Sequence, residues 1–277
     1  MTPQVQLVHV FPAGPGGGNP APIVVDADGM SDDDMQAVAR EYGHESGFVL
    51  ADEHGYELRF WVPNHEMSMC GHATVGAVWL LGRLGRLPDG EVSLRTRSGP
   101  VTARRIDGGA EITQPRGRIE PVADEAVPAI LDVLGIGPSD LAEAPVRNAC
   151  TSRVKTLVPV ADVAVLDGLR PDFAGVKRVC DSVGSTGLYP YAPSSPAGQV
   201  FDARQFPRSS GYPEDAATGI AAAALAFGLV DTGSVDPGRP IRIRQGRAMG
   251  RPSEITVRFR WQDTVIDGVW LGGKVTS

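Results

Sequence analysis

The sequence has few cysteines, few lysines and no long apolar run. Its three cysteines, Cys70, Cys150 and Cys180, are odd in number and widely spaced, and no CxxC pair occurs. This pattern argues against a disulfide framework and a structural zinc site, and it favours a reducing cytoplasm. Basic residues are nearly all arginine, which suggests a GC-rich genome more than a mechanism. Lysine occurs only at Lys155, Lys177 and Lys274.

Other absences bear on possible partners. The most apolar stretch, 216–230, has 15 residues, which is fewer than the roughly 20 that a membrane-spanning helix needs. The first ten residues carry no positive charge ahead of an apolar run, so we expect no secretory signal. A formal net charge of -7 and a pI near 5.3 leave no basic face for nucleic acid. We therefore expect a cytoplasmic protein that binds neither membranes nor nucleic acid.

Two similar segments occur in the two halves of the chain, and each is predicted to lead into a helix of small residues. They are Cys70-Gly71-His72-Ala73-Thr74 and Glu214-Asp215-Ala216-Ala217-Thr218-Gly219. The segments before them, 59–63 and 204–207, also correspond. The first turn of a helix has unpaired N–H groups and the positive end of the helix dipole, so it attracts carboxylates. We expect two similar halves whose helix starts converge on one site for a small carboxylate-bearing molecule.

The apolar periodicity predicts helices and strands throughout the chain. Helix 32–42 should begin after Ser31 as N-cap and end at Gly43. The other predicted helices are 72–84, 125–134, 173–183 and an alanine-rich helix after Asp215. The predicted strands are 5–11, 47–50, 57–62, 92–96, 101–106, 110–113, 155–160, 199–206, 241–244, 254–260 and 265–271. Mixed strands with one buried helix in each half indicate an α+β fold.

Two segments rich in glycine and proline separate these elements. The segment 12–20 lacks the GK[ST] ending of a phosphate loop and no helix follows it directly, so we expect no nucleotide. The segment 115–121 is the best linker candidate. We predict an N-terminal domain over 1–116, completed by the C-terminal strand at about 265–277, and a C-terminal domain over 117–264.

Six ordered motifs resemble the successive signatures of the PhzF-like proteins, which have a diaminopimelate epimerase-like fold. The match extends over essentially the whole chain, and six motifs in order are far more specific than any one of them. The motifs are Gly18-Asn19-Pro20, Glu45-Ser46-Gly47-Phe48-Val49, Arg59-Phe60 with Pro63, Cys70-Gly71-His72-Ala73-Thr74, Pro213-Glu214-Asp215-Ala216-Ala217-Thr218-Gly219, and Gln245-Gly246 with Gly250-Arg251-Pro252.

The resemblance implies two domains, each a mixed sheet wrapped around a central helix, and a site that needs no cofactor and no metal. Its best understood members isomerise trans-2,3-dihydro-3-hydroxyanthranilate by moving a proton with one glutamate. By this resemblance Glu45 is the catalytic glutamate, and His72 and Asp215 are its catalytic partners. A homodimer is expected. The residues expected to bind substrate are Asn19, Cys70, Gly71, Ala73, Thr218, Gly219 and Ile220.

The residue types suit this chemistry. A carboxylate such as Glu45, partly enclosed by apolar neighbours, has its pKa raised toward neutrality, which helps it to take and return a proton. His72 and Asp215 are predicted in the first turns of the two helices, where Asp215 could instead be a simple N-cap. Cys70 lies where epimerases of this fold carry a reactive thiolate. Its counterpart in the second half is acidic, so two-cysteine racemisation is disfavoured and Cys70 could be a small buried residue.

Two positions depart from the family pattern and leave the substrate open. Ile220 stands where a small polar residue usually follows Thr218-Gly219, and His9 stands where the first strand usually has an acidic residue. The favoured interpretation is a cofactor-independent isomerase of a small cyclic carboxylate in specialised metabolism. One alternative is a hydrolase that cleaves a carbon–carbon bond of a cyclic amino acid precursor in alkylproline-type pathways. Another alternative is a binding protein without catalysis.

Overall fold

The structure is a computed structural model that describes residues 4–209 and 211–277. The α+β class predicted from the sequence is confirmed. Among the described residues, no helix has both the length and the apolarity needed to cross a membrane. The helices are α1 Asp32–Tyr42, α2 Gly71–Arg83, α3 Val127–Leu134, α4 Val163–Gly168, α5 Phe173–Ser182 and α6 Gly219–Asp231.

The strands are short and most pair with their neighbours in the chain. The strands up to the end of the first half are β1 Val5–Val10, β2 Asn19–Val24, β3 Ser46–Asp52, β4 Gly55–Val62, β5 His65–Met67, β6 Glu91–Thr96, β7 Gly99–Ile106, β8 Gly109–Pro115 and β9 Arg118–Pro121. The remaining strands are β10 Arg147–Cys150, β11 Val154–Pro159, β12 Gly187–Ser195, β13 Val200–Ala203, β14 Phe206–Pro207, β15 Ile241–Gln245, β16 Ser253–Gln262 and β17 Val265–Thr276.

The residue contacts divide the chain into two compact units. The first unit contains the chain up to Thr113 together with Leu271–Ser277, and the second contains Gln114–Trp270. That each unit is an epimerase-like domain stays a prediction.

The first unit is built around α2. Strand β1 pairs antiparallel with β2, β2 pairs parallel with β3, β3 pairs antiparallel with β4, and β4 pairs parallel with β6. Most residues of α2 are buried, and the helix packs on β1, β2, β3 and β7. Glycine allows this close approach, because a Cβ at Gly76 would lie 2.9 Å from Val8 Cγ2. The apolar character of α2 on all sides therefore predicted its burial correctly.

The second unit has a comparable buried helix, α6. Strands β9, β10 and β11 are antiparallel neighbours, β11 pairs parallel with β12, and β15 pairs antiparallel with β16. Helix α6 packs on β9, β10, β11 and β16, and its alanines are fully buried. A separate apolar cluster forms around α3 and α5. The alanine-rich segment is thus a buried helix, as its length predicted.

Several predicted elements agree closely with the structure. Helix α1 has the predicted bounds, Ser31 and Asp34 form a capping box, and Gly43 ends the helix with φ of 66°. Helix α2 is shifted by one residue from the prediction, and α5 ends one residue early. These elements carry strong capping or periodicity signals, which depend only on local sequence.

Other predicted elements were wrong or missing. The linker prediction fails over its second part, because Arg118–Pro121 is strand β9 and pairs with β10. Strands β2, β5, β10 and β12 and helix α4 were not predicted. Strand β2 was missed because Pro20 and Pro22 argue against a strand. Both prolines lie where β2 pairs with β1, whereas β3 pairs with β2 at Ile23 and Val24. Proline is tolerated where a strand has one partner, because its missing N–H is not needed there.

The contact at Gly76 gives a test of the packing around α2. Gly76→Ala adds helix propensity of about 1 kcal/mol, but its Cβ overlaps two stiff valines, and overpacking costs about 1 to 3 kcal/mol. We expect a net loss of stability in urea unfolding. Gly82→Ala in the same helix is the control, because its Cβ would contact only the flexible side chain of Arg105, which can swing outward. Equal stability changes in both variants would contradict this packing.

Candidate active site

The first unit brings together three predicted site residues. Cys70 is the N-cap of α2 and His72 is the second residue of the helix, so both side chains belong to its first turn. His72 Nδ1 lies 3.5 Å from Cys70 Sγ. On the other edge of the ring, His72 Nε2 lies 3.5 Å from Glu45 Oε2. The imidazole therefore connects a thiol and a carboxylate in one row.

Local structure fixes each member of this row, which we call the Glu45–His72–Cys70 row. Glu45 follows the left-handed Gly43 that ends α1 and directly precedes β3, as the sequence predicted. The Cys70 carbonyl accepts bonds from Thr74 N at 3.0 Å and Thr74 Oγ1 at 2.7 Å. The side chains of Glu45 and His72 are 18% and 7% exposed, so water has limited access to the carboxylate.

Three side chains of metal-ligand type meet in this row, a grouping that the residue spacing did not predict. Glu45, Cys70 and His72 offer ligand atoms within 4.8 Å of one another. The thiol faces Nδ1 and the carboxylate faces Nε2. One ion can bind only one nitrogen of a ring, so His72 would have to turn to share an ion with both partners. As folded, the three groups suit proton handling better than metal binding.

The other predicted residues of the first unit lie close to this chemistry in the chain. Gly71 and Ala73 flank His72 in the first turn of α2, where backbone N–H groups are not used within the helix. Asn19 begins β2, is buried, and pairs with Val10. His9, the departure on the first strand, lies in β1 and pairs with Pro20.

In the second unit, Asp215 lies before the helix and not in its first turn. Helix α6 begins at Gly219 with Thr218 as N-cap, so the predicted place of Asp215 in the first turn is wrong and it is not the alternative N-cap either. Thr218 caps no backbone group with its side chain, and its Oγ1 instead donates a hydrogen bond of 2.5 Å to Asp215 Oδ2. The threonine hydroxyl therefore orients the carboxylate. The helix starts later than predicted because 215–218 forms a bend stabilised by side chains.

Gln245 holds this bend in place. Its Nε2 donates to the Asp215 carbonyl at 2.7 Å and lies 3.1 Å from Thr218 Oγ1. Its Oε1 accepts from Thr218 N at 3.3 Å and from Tyr189 Oη at 3.0 Å. Both polar ends of this buried amide are used. The sequence analysis quoted Gln245 in a motif but assigned it no role, because its partners lie on other elements.

The segment leading to Asp215 is anchored by a buried ion pair. Arg204 donates two bonds to Glu214, from Nε at 2.8 Å and from Nη2 at 2.7 Å. Its Nη1 donates to the carbonyls of Leu166 and Leu169, both at 3.2 Å. The backbone N–H of Asp215 also donates to the Gln205 carbonyl at 3.0 Å. These contacts explain why the predicted strand 199–206 breaks after Ala203, because Arg204 turns toward Glu214.

The remaining predicted residues start α6. Gly219 is the first helical residue and is buried. Ile220 is the second helical residue and is half-buried, so it lies in the first turn of the helix. Its side chain therefore stands two residues from Thr218, which orients Asp215.

Residues 8–276 match the family described as phenazine biosynthesis-like protein. The chain belongs to this family. The uncharacterized isomerase YddE of Escherichia coli strain K12 is 30% identical over 285 residues, covering 99% of this chain and 95% of that protein. The trans-2,3-dihydro-3-hydroxyanthranilate isomerase of Pseudomonas fluorescens is 29% identical over 255 residues, covering 89% and 87%. The resemblance drawn from the motifs and the prediction of a PhzF-like isomerase are confirmed at this level.

Solved structures give the same result for the fold. The PhzF-family protein of Bacillus anthracis has a TM-score of 0.88 at 24% identity, covering 98% of this chain and 95% of that one. A hydroxyproline epimerase from Agrobacterium vitis has a TM-score of 0.63 at 15% identity, covering 99% and 90%. This PhzF-like chain therefore has the predicted epimerase-like fold. The homodimer and the cytoplasmic location stay predictions.

The role of Gln245 can be tested against a second buried glutamine, Gln205. Each side chain is 1% exposed, but within the described part of the chain the Gln205 amide has no hydrogen-bond partner. Gln245→Leu removes the hydrogen-bond acceptor of two groups, Tyr189 Oη and Thr218 N. We therefore expect a loss of unfolding free energy on the order of 3 kcal/mol. Gln205→Leu should be neutral or stabilising. Similar losses in both variants would show that the Gln245 network is not what holds the bend.

Proposed function

We propose that this protein is a cofactor-independent isomerase that moves a proton on a small cyclic carboxylate with Glu45 as acid and base. The observation that carries the proposal is the enclosed Glu45 carboxylate in line with His72 and Cys70 at the start of a buried helix. General acid–base catalysis needs a carboxylate that is fixed, partly shielded from water and still able to reach substrate. Glu45 meets these conditions at 18% side-chain exposure.

The chemistry follows from the groups around Glu45. The carboxylate takes a proton from a ring carbon next to an electron-withdrawing group and later returns a proton at another carbon. The anion that forms in between is stabilised by N–H groups and by the positive dipole end of α2, in the turn of Gly71 to Ala73. His72 Nε2 lies 3.5 Å from Glu45 Oε2, close enough for a protonated imidazole to stabilise the ionised carboxylate. No redox change occurs in this scheme, so no electron carrier is required.

Asp215 is proposed as a second proton-handling group that also binds a substrate amine. Thr218 fixes its carboxylate and Gln245 fixes its backbone carbonyl. A structural aspartate does not need a carboxylate held in one orientation, so this arrangement supports the proposed role. The relative from Pseudomonas fluorescens, named as a dihydrohydroxyanthranilate isomerase, supports a ring substrate with a carboxylate and an amine. We propose a substrate of this class, used in specialised metabolism.

A carbon–carbon hydrolase is the second candidate, and Ile220 is the observation that favours it. An aliphatic side chain in the first turn of α6 removes a hydroxyl donor that relatives of this family usually carry there. The same base would then activate water and cleave a cyclic amino acid precursor. Mass distinguishes the two reactions, because isomerisation conserves the mass of the substrate and hydrolysis releases a second product.

The catalytic assignment is tested by Glu45→Gln. The amide keeps the shape of the side chain but cannot carry the transferred proton, so turnover of trans-2,3-dihydro-3-hydroxyanthranilate should fall by about 100-fold or more. Ligand binding should change little. In heavy water, the wild type should place deuterium on the ring and the variant should not, as read by mass spectrometry.

The matched control is Glu41→Gln, which changes an exposed glutamate near the end of α1. It should keep wild-type turnover and deuterium incorporation. Activity of Glu45→Gln within tenfold of wild type would remove Glu45 from the mechanism.

Substrate choice is tested by Ile220→Ser. The change adds a donor, enlarges the space at the start of α6 and removes about 1 to 2 kcal/mol of apolar burial at this half-buried side chain. If the substrate has diverged, turnover of the dihydroanthranilate compound should be poor in the wild type and higher in the variant. Efficient wild-type isomerisation, with solvent deuterium in the product and no second product, would show that Ile220 is a neutral packing change.

A further inference from the structure

Lys155 is the one lysine of the described residues that is buried. It lies in β11 and is 5% exposed, whereas Lys177 is 61% exposed at its side chain and Lys274 is also exposed. Among residues 4–209 and 211–277, its ammonium makes no hydrogen bond and no ion pair at contact distance. A lysine in this state is rare, because taking a charge out of water without a close partner costs free energy.

The amine of Lys155 points into a small polar space over Gly187 of strand β12. If residue 187 had a Cβ, that atom would lie 3.3 Å from Lys155 Nζ and 2.2 Å from Gln205 Nε2. A Cβ at this position would overlap the Gln205 amide and press on the Lys155 amine, so the glycine leaves room for both. Gln205 is itself buried, and its amide has no partner within the described residues. The Gln205 amide and the Lys155 amine thus approach the same point beside Gly187.

Asp215 adjoins this space. Its backbone N–H donates to the Gln205 carbonyl at 3.0 Å, and its negative charge acts on Lys155. Burial lowers the pKa of Lys155 to about 8, and the charge of Asp215 opposes that shift. Arg153 lowers the pKa further and Cys180 raises it, and these are the other titratable groups that act on the amine. The acidic group coupled to Lys155 is therefore the proposed catalytic aspartate.

The arrangement is unfavourable for stability. Replacing a buried charge by an apolar side chain of similar length is often neutral or stabilising, so packing alone does not require a lysine at this position. Residues that break a local rule of protein structure without an evident structural gain are typical of functional sites. The charge of Lys155 acts on the Cys180 thiol, whose pKa it lowers, and on Asp215, which is the one of the two with a proposed role in catalysis.

We propose that Lys155 is a positioning residue that acts through Asp215, keeping the Asp215 carboxylate ionised and fixed so that it can accept a proton. Thr218 orients the carboxylate, Gln245 holds the Asp215 carbonyl, and Lys155, whose amine lies over Gly187, supplies a positive charge. This inference rests on the proposed role of Asp215 in catalysis. Its electrostatic part, the coupling of Lys155 to Asp215, can be measured without turnover.

The coupling is tested by NMR on protein labelled with ¹³C at the lysine ε carbons. The chain has three lysines, so three signals are expected, and Lys155→Met identifies the signal of Lys155. In the wild type this signal should titrate near pH 8. In Asp215→Asn it should titrate at lower pH, because the carboxylate that favours the charged amine is gone. Titration of Lys155 near 10.4, or a midpoint unchanged in Asp215→Asn, would overturn the proposal.

The functional part is tested with Lys155→Met on trans-2,3-dihydro-3-hydroxyanthranilate. Loss of the positive charge raises the pKa of Asp215, so the acid limb of the kcat/KM profile should move to higher pH. At pH values below the acid limb, where ionisation of Asp215 limits the rate, we expect kcat/KM to fall by about tenfold for each unit by which the pKa of Asp215 rises, with little change well above the limb. The melting temperature should rise by about 2 to 4 °C, because a costly buried charge is removed. Lower activity with higher stability is a result that a structural lysine would not give.

Lys177→Met is the matched control, because Lys177 is exposed and pairs only with Asp181 four residues away. It should leave the pH profile and kcat unchanged. An unshifted acid limb in Lys155→Met, or a large loss of stability, would overturn the positioning role. If the NMR coupling is present but the wild type does not turn over the compound, the proposed substrate fails while the Lys155–Asp215 coupling stands.

Discussion

The burial of α2 and α6 is the constraint on which the rest of this structure depends. A helix enclosed by strands must have small residues where the sheet is closest, and Gly76 against Val8 shows how little room remains. Because the helix is enclosed, its first turn is enclosed as well. The N–H groups of that turn therefore act in a low-dielectric environment, where their attraction for a developing anion is strongest. Burial of the helix and chemistry at its start have one cause.

The second unit handles its buried polar groups in two contrasting ways. Around Gln245 every polar end is used, and the result is a rigid bend with one orientation of Asp215. Around Gly187, Gln205 and Lys155 share a space without closing a network. Satisfied networks specify structure, whereas unsatisfied buried groups cost stability and persist where they do something else. Within this one unit, Gln245 thus belongs to the residues that build the bend, whereas Lys155 is proposed to keep the Asp215 carboxylate ionised.

Features that depend on residues close together in the chain were predicted from the sequence, and features that depend on distant residues were not. Helix α1 was predicted to the residue because Ser31, Asp34 and Gly43 act within a few positions of one another. The family resemblance named Glu45, His72 and Asp215, but the contact of His72 with Glu45 requires the start of α2 to meet the connection between α1 and β3. Lys155 carried no local signal, and its burial depends on a glycine in a neighbouring strand. Both features depend on contacts between residues far apart in the chain, which apolar periodicity does not predict.

The start of α6 shows how a side chain can override a helix signal. The run from Ala216 favours helix by propensity, yet Thr218 bonds to Asp215 and not to the backbone, and Gln245 takes up the Thr218 N–H and the Asp215 carbonyl. These bonds keep 215–218 out of the helix, so the carboxylate stands ahead of the first turn. An aspartate used as N-cap would spend its oxygen on a backbone N–H. Displaced from that position, Asp215 keeps a carboxylate oriented by Thr218, which is the state that proton transfer requires.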